Sequence, residues 1–128
     1  MRTVSATVLA LTLVAMAPAQ RKKPADVQVL ETRAVREGTK ITVDGKVKVT
    51  AEKPLRGLVI VFDFRSPEKE VITSQKTVVQ EGPAESGREG AYHAEMADDV
   101  RAVHYTIRAF DLHEKELRVA NTGPFPIE

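Results

Sequence analysis

From Ile41 to Val49 apolar and polar positions alternate along the chain. Ile41, Val43, Gly45, Val47 and Val49 fall on one face, and Thr42, Asp44, Lys46 and Lys48 on the other. A period of two marks a β-strand with one side on a core. The pattern breaks at Glu52-Lys53-Pro54 and resumes as Leu58–Phe62, apolar on both faces, as a central strand must be. Extended along the chain, this reading predicts seven strands: Val27–Arg36, Lys40–Thr50, Leu58–Arg65, Val71–Val79, Ala91–Ala97, Val103–Asp111 and Leu117–Thr122. Gly, Pro and charged turn residues separate them, and the longest break is the polar loop Glu81–Gly90. No sustained helical period occurs. The fold class expected is all-β, a single antiparallel sandwich over residues 27–128.

Strand polarity predicts where the core lies. Val47, Val59, Val61, Tyr105 and Ile107 are expected to point inward. Leu117–Thr122 is expected to be a last strand blunted by Pro124 and Pro126, which leaves Val27–Arg36 as the exposed edge.

Residues 1–19 read as a signal peptide. Arg2 is the charged start, Val4–Ala15 the apolar stretch, and Ala17-Pro18-Ala19 a small-residue cleavage site before Gln20. The alternative is an uncleaved anchor, but the apolar run is shorter than the roughly 20 residues that span a bilayer. The three cations Arg21, Lys22 and Lys23 just after it favour slow export. Residues 20–26 form a polar tether ending near Pro24. The product is expected to be periplasmic or extracellular, with no stable membrane span after cleavage.

The chain has no cysteine, which excludes a lipoprotein signal, disulfides, thiolate metal ligands and a cysteine nucleophile. A cysteine-free exported domain of this size points to a bacterium. Nineteen basic residues balance eighteen acidic ones, so no field of one sign steers the chain to nucleic acid. Aromatic residues make up 5%, too few for a ring-stacking platform for sugars or single-stranded nucleic acid. Gly-rich phosphate loops, nucleophile elbows and His-Glu-x-x-His helices are missing from the sequence.

Gly45-Lys46-Val47-Lys48, Lys53-Pro54-Leu55, Leu58-Val59-Ile60-Val61-Phe62 and Val71-Ile72 together resemble the FxLYD-type domain, over roughly Thr39–Ala109. That resemblance implies an immunoglobulin-like sandwich of exported bacterial proteins, without catalysis and without a general ligand. The run Ala102–Ala109 is similar to the sixth strand of fibronectin type III and immunoglobulin domains. There Tyr105 would cap a corner through a hydrogen bond from its hydroxyl to upstream backbone.

Three features invite a chemical role. If Asp98-Asp99 were a two-residue hairpin turn, His93 would face His104, and the pair with Glu95 would suit Zn²⁺ or Cu²⁺. In an immunoglobulin-like sandwich those two strands lie in different sheets, and the site vanishes. Asp63 stands in the most apolar strand and is expected in a surface ion pair with Arg65 or a cross-strand lysine. The acidic pairs Asp98-Asp99 and Glu114/Glu116 suit solvated turns better than general acid–base work. Glu81, Glu85, Arg88 and Glu89 of the long loop, expected to be the most mobile surface, are the interaction candidates. The function expected is a non-catalytic module with a structural or protein-interaction role, its protein partner unidentified, with no nucleic acid, no cofactor and no enzymatic activity. The alternative is a small-ligand or metal-binding sandwich.

Overall fold

The computed structural model describes residues 24–128; the expected leader 1–19 and most of the tether lie outside the described residues. Nine strands follow: β1 Val27–Glu37, β2 Lys40–Val49, β3 Leu58–Arg65, β4 Val71–Gln80, β5 Glu89–Ala97, β6 His104–Phe110, β7 Glu116–Leu117, β8 Val119–Ala120 and β9 Phe125–Pro126. The first six match the expected runs to within about two residues, while the seventh run is split and a ninth strand is added. The chain is all-β, and no helix occurs among the described residues. One sheet has the order β5-β2-β1-β8; the other has β4-β3-β6-β7, with β9 also pairing β6.

Between β1 and β2 the turn is two residues long, and Gly38 takes a φ of 63°, which suits a primed hairpin turn. The register contains one decisive irregularity. Val27 and Val29 face the core, but an unbroken period of two would then bury Glu31 and Arg33. A bulge at Leu30 shifts the phase, so Thr32 and Ala34 turn inward opposite Gly45 and Val43. Leu30 is left 41% exposed as the unpaired residue.

The core lies between the sheets. Val27, Ala34, Ile41, Val43 and Val47 face Leu58, Ile60, Phe62, Phe64, Tyr105 and Ile107. Tyr105 is the centre of its aromatic cluster: its ring centroid is 6.2 Å from that of Phe62, 5.9 Å from Phe64 and 5.4 Å from Phe125. The expected inward set is corrected at two positions. Val59 and Val61 lie on the outer face of β3, half-buried, because the inner face is Leu58, Ile60, Phe62 and Phe64. An apolar run on both faces hides its own phase.

The expected edge is also corrected. β1 is an inner strand at both ends: β8 pairs Val27 and Gln28 in parallel, and Ile127 bridges Ala34. The strands that end the sheets on the other side are β4 and β5. Ala25 and Asp26, expected in the tether, are already bonded into the domain. The Asp26 carbonyl accepts from the Thr50 and Ala51 amides, and its carboxylate accepts from the Arg118 amide.

Arg36 holds the crossover from β5 to β6. Its guanidinium donates to the Asp98 carboxylate at 2.9 Å and to the carbonyls of Asp99 and Ala102. At the opposite end the Asp111 carboxylate accepts from the His113 and Lys115 amides and closes the turn into β7.

Candidate functional site

The two histidines proposed as a metal pair are not neighbours. Among the described residues β5 pairs only β2, which sets His93 against Asp44, and β6 pairs β3, which sets His104 against Arg65. Asp98-Asp99 is no hairpin turn but part of the crossover held by Arg36, so the ladder that would join the histidines does not form. His93 instead completes an exposed charge row. Its Nδ1 lies 2.6 Å from Asp44 and its Nε2 3.0 Å from Glu95, whose other oxygen accepts from Lys40 at 3.0 Å. Hydrogen bonds to Asp44 and then Glu95 raise its pKa above the ordinary 6.5. Both ring nitrogens are engaged on opposite sides of the imidazole, so Asp44 and Glu95 do not converge on one point. No group of three or more metal-ligating side chains comes together among the described residues.

Asp63 is buried, not exposed, and its partner is neither Arg65 nor a lysine. It is 4% exposed on the outer face of β3, between the completely buried Phe62 and Phe64 on the inner face. Arg108 reaches it with two hydrogen bonds of 2.7 and 3.0 Å, and the Ser74 hydroxyl donates at 2.6 Å. Burial opposes its charge, but the bonds from Arg108 and Ser74 prevail and leave its pKa below 3.8. With its acceptor sites occupied in this way the carboxylate is a fixed structural anion. Arg108 also lies over the Phe110 ring, 5.4 Å from its centroid.

Tyr105 is structural as expected, but its partner differs. Its hydroxyl lies 2.7 Å from the Thr32 hydroxyl on the facing sheet, while Tyr92 donates to the Glu31 carbonyl at 3.2 Å. Both tyrosine pKa values are pushed up by burial.

Glu81, Glu85, Arg88 and Glu89 are exposed. The loop that carries them is pinned, contrary to the expected mobility. Ala84 is completely buried and exchanges two backbone hydrogen bonds with Leu55, at 2.8 and 2.9 Å, and Gly87 donates to Val49. A buried alanine within a polar loop is invisible to a composition argument.

The surface missed in the sequence is the outer face of the β4-β3-β6 sheet. Val59, Val61, Val78, Phe110 and Leu112 form an apolar groove of about 400 Å³, with Lys76 and Glu114 at its margins. The available signal was the weak amphipathicity of Val71–Gln80: its inward positions Thr73, Gln75 and Thr77 are polar and half-buried, as suits a strand at a sheet margin.

No family model matches the chain, and no curated protein matches it. Among solved structures, the chain is similar to the putative ApaA protein from Bordetella pertussis, with 16% identity and a TM-score of 0.42 over 83% of this chain and 91% of that one. It is also similar to the Pseudomonas fluorescens alkylpurine DNA glycosylase AlkC bound to DNA containing an abasic site analog, with 12% identity and a TM-score of 0.41 over 77% of this chain. The chain spans about a third of that glycosylase, 32% of its length.

Proposed function

We propose that the protein is an exported, non-catalytic, immunoglobulin-like module, similar to FxLYD-type domains, whose task is to bind another protein. The strand order supports the fold part of this reading. β1, β2 and β5 lie in one sheet and β3 and β6 in the other, as strands A, B, E and C, F divide in the immunoglobulin arrangement. The observation that carries the functional part is where the ionisable groups are spent. Asp63 is bound to Arg108 and Ser74, Asp98 to Arg36, Asp111 to its own turn and His93 to two carboxylates, so the polar chemistry holds the scaffold together. What the scaffold then presents to solvent is an apolar groove beside an edge strand, which suits a macromolecular partner better than a small substrate.

The test uses protein processed in its native envelope. Intact mass is expected to begin at Gln20, and a partner captured from the envelope fraction is expected to protect one continuous surface against hydrogen exchange. A stabilisation by Zn²⁺ or Cu²⁺ alone, with protection confined to His93 and Glu95, overturns this reading in favour of a metal-binding domain.

A further inference from the structure

We propose that the free edge of β4, from Val71 to Val78, docks an extended segment of a partner protein carrying an apolar residue and a carboxylate two positions apart. The proposal rests on the interaction-module reading and supplies its surface and partner chemistry.

Among the described residues β4 pairs β3 alone, and β5 pairs β2 alone, so each ends its sheet on that side. Their outer faces differ in kind. β5 presents Glu89, His93 and Glu95 among alanines, with His93 and Glu95 closed in mutual ion pairs. Charges of this kind blunt an edge. β4 presents Ser74, Lys76 and Val78, and Val78 is 50% exposed.

The register sets what an added strand meets. Val78 lies beside Val59, which lies beside Phe110, so the row continues the apolar groove from β4 across β3 to β6. Lys76 lies in the next row beside Val61 and Arg108, and Arg108 is engaged by Asp63. Lys76 itself makes no ion pair among the described residues.

A cation free of ion pairs beside an apolar row on an edge strand has two effects. It disfavours pairing with an uncharged apolar edge, and it rewards a strand that places a carboxylate opposite it. Side chains on one face recur every second residue, so the groups opposite Val78 and Lys76 must lie two positions apart. Backbone bonds would supply affinity and this pair of contacts the specificity. A second β4 is a poor occupant, because Val71–Gln80 contains no carboxylate. Beyond Val78 the edge closes: a Cβ on Gly90 would stand 2.6 Å from Val79 Cγ1, so β5 lies against the strand there.

The experiment pans a displayed library of random linear peptides against the purified full-length protein. Enriched peptides are expected to share an apolar residue spaced two positions from Asp or Glu. Binding of one synthetic representative should fall at least tenfold on Lys76→Glu and recover when its carboxylate is replaced by lysine. Hydrogen exchange should slow across Val71–Val78 and be unchanged in β5. An unaltered melting curve for Lys76→Glu keeps loss of binding separate from loss of fold. No enrichment, indifference of the peptide to Lys76→Glu, or protection mapped elsewhere overturns the proposal. A native partner that protects the Glu81–Gly90 loop or β5 also overturns it while leaving the interaction-module reading standing.

Discussion

The hydroxyls of Thr32 and Tyr105 lie 2.7 Å apart in the interior, one on each sheet, and tie the two layers together where their strands cross. The contact exists only because the bulge at Leu30 turns Thr32 inward; without the phase shift Glu31 or Arg33 would meet the Tyr105 ring. A local irregularity in one strand therefore decides which polar group enters the core.

Removing either hydroxyl should cost about 0.5–1.5 kcal/mol, measured by urea unfolding, with the larger loss where the remaining hydroxyl stays buried and unpaired. Thr32→Val and Tyr105→Phe together should cost less than their sum. Strict additivity would show that the two hydroxyls do not interact.

Alkali tests the burial of the same region. Tyr92 and Tyr105 hold their protons above the ordinary value of 10 because burial disfavours the charged form. In the unfolded chain both ionise near 10, so above that pH the unfolded state binds fewer protons and stability falls as pH rises. Below about pH 9 they contribute no slope. Tyr92→Phe should flatten the alkaline loss, and tyrosinate absorbance in the folded protein should rise later than in urea.

Gly45 lies opposite Tyr92 on β5 and Thr32 on β1. A Cβ there would overlap the Tyr92 hydroxyl and the Glu31 carbonyl. Gly45→Ala should therefore destabilise by about 1–3 kcal/mol, although alanine at an ordinary strand position improves on glycine. Tyr92→Phe in the Gly45→Ala background should recover part of the loss but not all of it, since the carbonyl is backbone. A neutral Gly45→Ala would mean that Tyr92 sits elsewhere.

These positions show how much the residue pattern revealed. The alternation at Ile41–Val49 reports the buried face correctly, because β2 packs one side on the core and shows the other to solvent. The same logic fails at Leu58–Phe64, where apolar residues on both faces leave the phase open, and Asp63 looks misplaced until Arg108 is seen across the ladder. Arg108 is 45 residues away, and no local pattern announces such a pairing. Of the two readings of the histidines, the one that separates their strands holds: β5 and β6 are consecutive in sequence but belong to different sheets. Likewise, the covering of β1 by β8 and Ile127 depends on the path of the last ten residues, which have too few apolar positions to show a period.

Asp63 should make stability sensitive to acid. Its folded pKa is depressed, so its contribution is present above the unfolded value near 3.9 and is lost as pH falls through the folded value. Asp63→Asn should weaken the charge-assisted bonds to Arg108 and remove part of that acid loss. Arg108→Ala leaves the buried carboxylate with Ser74 alone and should cost about 1–3 kcal/mol at neutral pH, below the figure for a fully buried pair because the arginine is partly exposed to solvent. Equal stability of wild type and Arg108→Ala between pH 5 and pH 7 would refute the pairing.

His93 offers a readout that needs no unfolding. Its pKa should exceed 6.5 when its ring protons are followed by NMR, since Asp44 and Glu95 both favour the imidazolium. Asp44→Asn removes the first of these partners and should bring the midpoint down; Glu95→Gln should do so less, because Glu95 divides its charge between His93 and Lys40. A raised His pKa stabilises the fold below the unfolded value and loses that contribution as pH rises through the folded one. The row is solvent-exposed and screened by salt, so the midpoint should also drop as ionic strength increases. A midpoint at 6.5, unmoved by Asp44→Asn, would show that the ring does not lie between the two carboxylates.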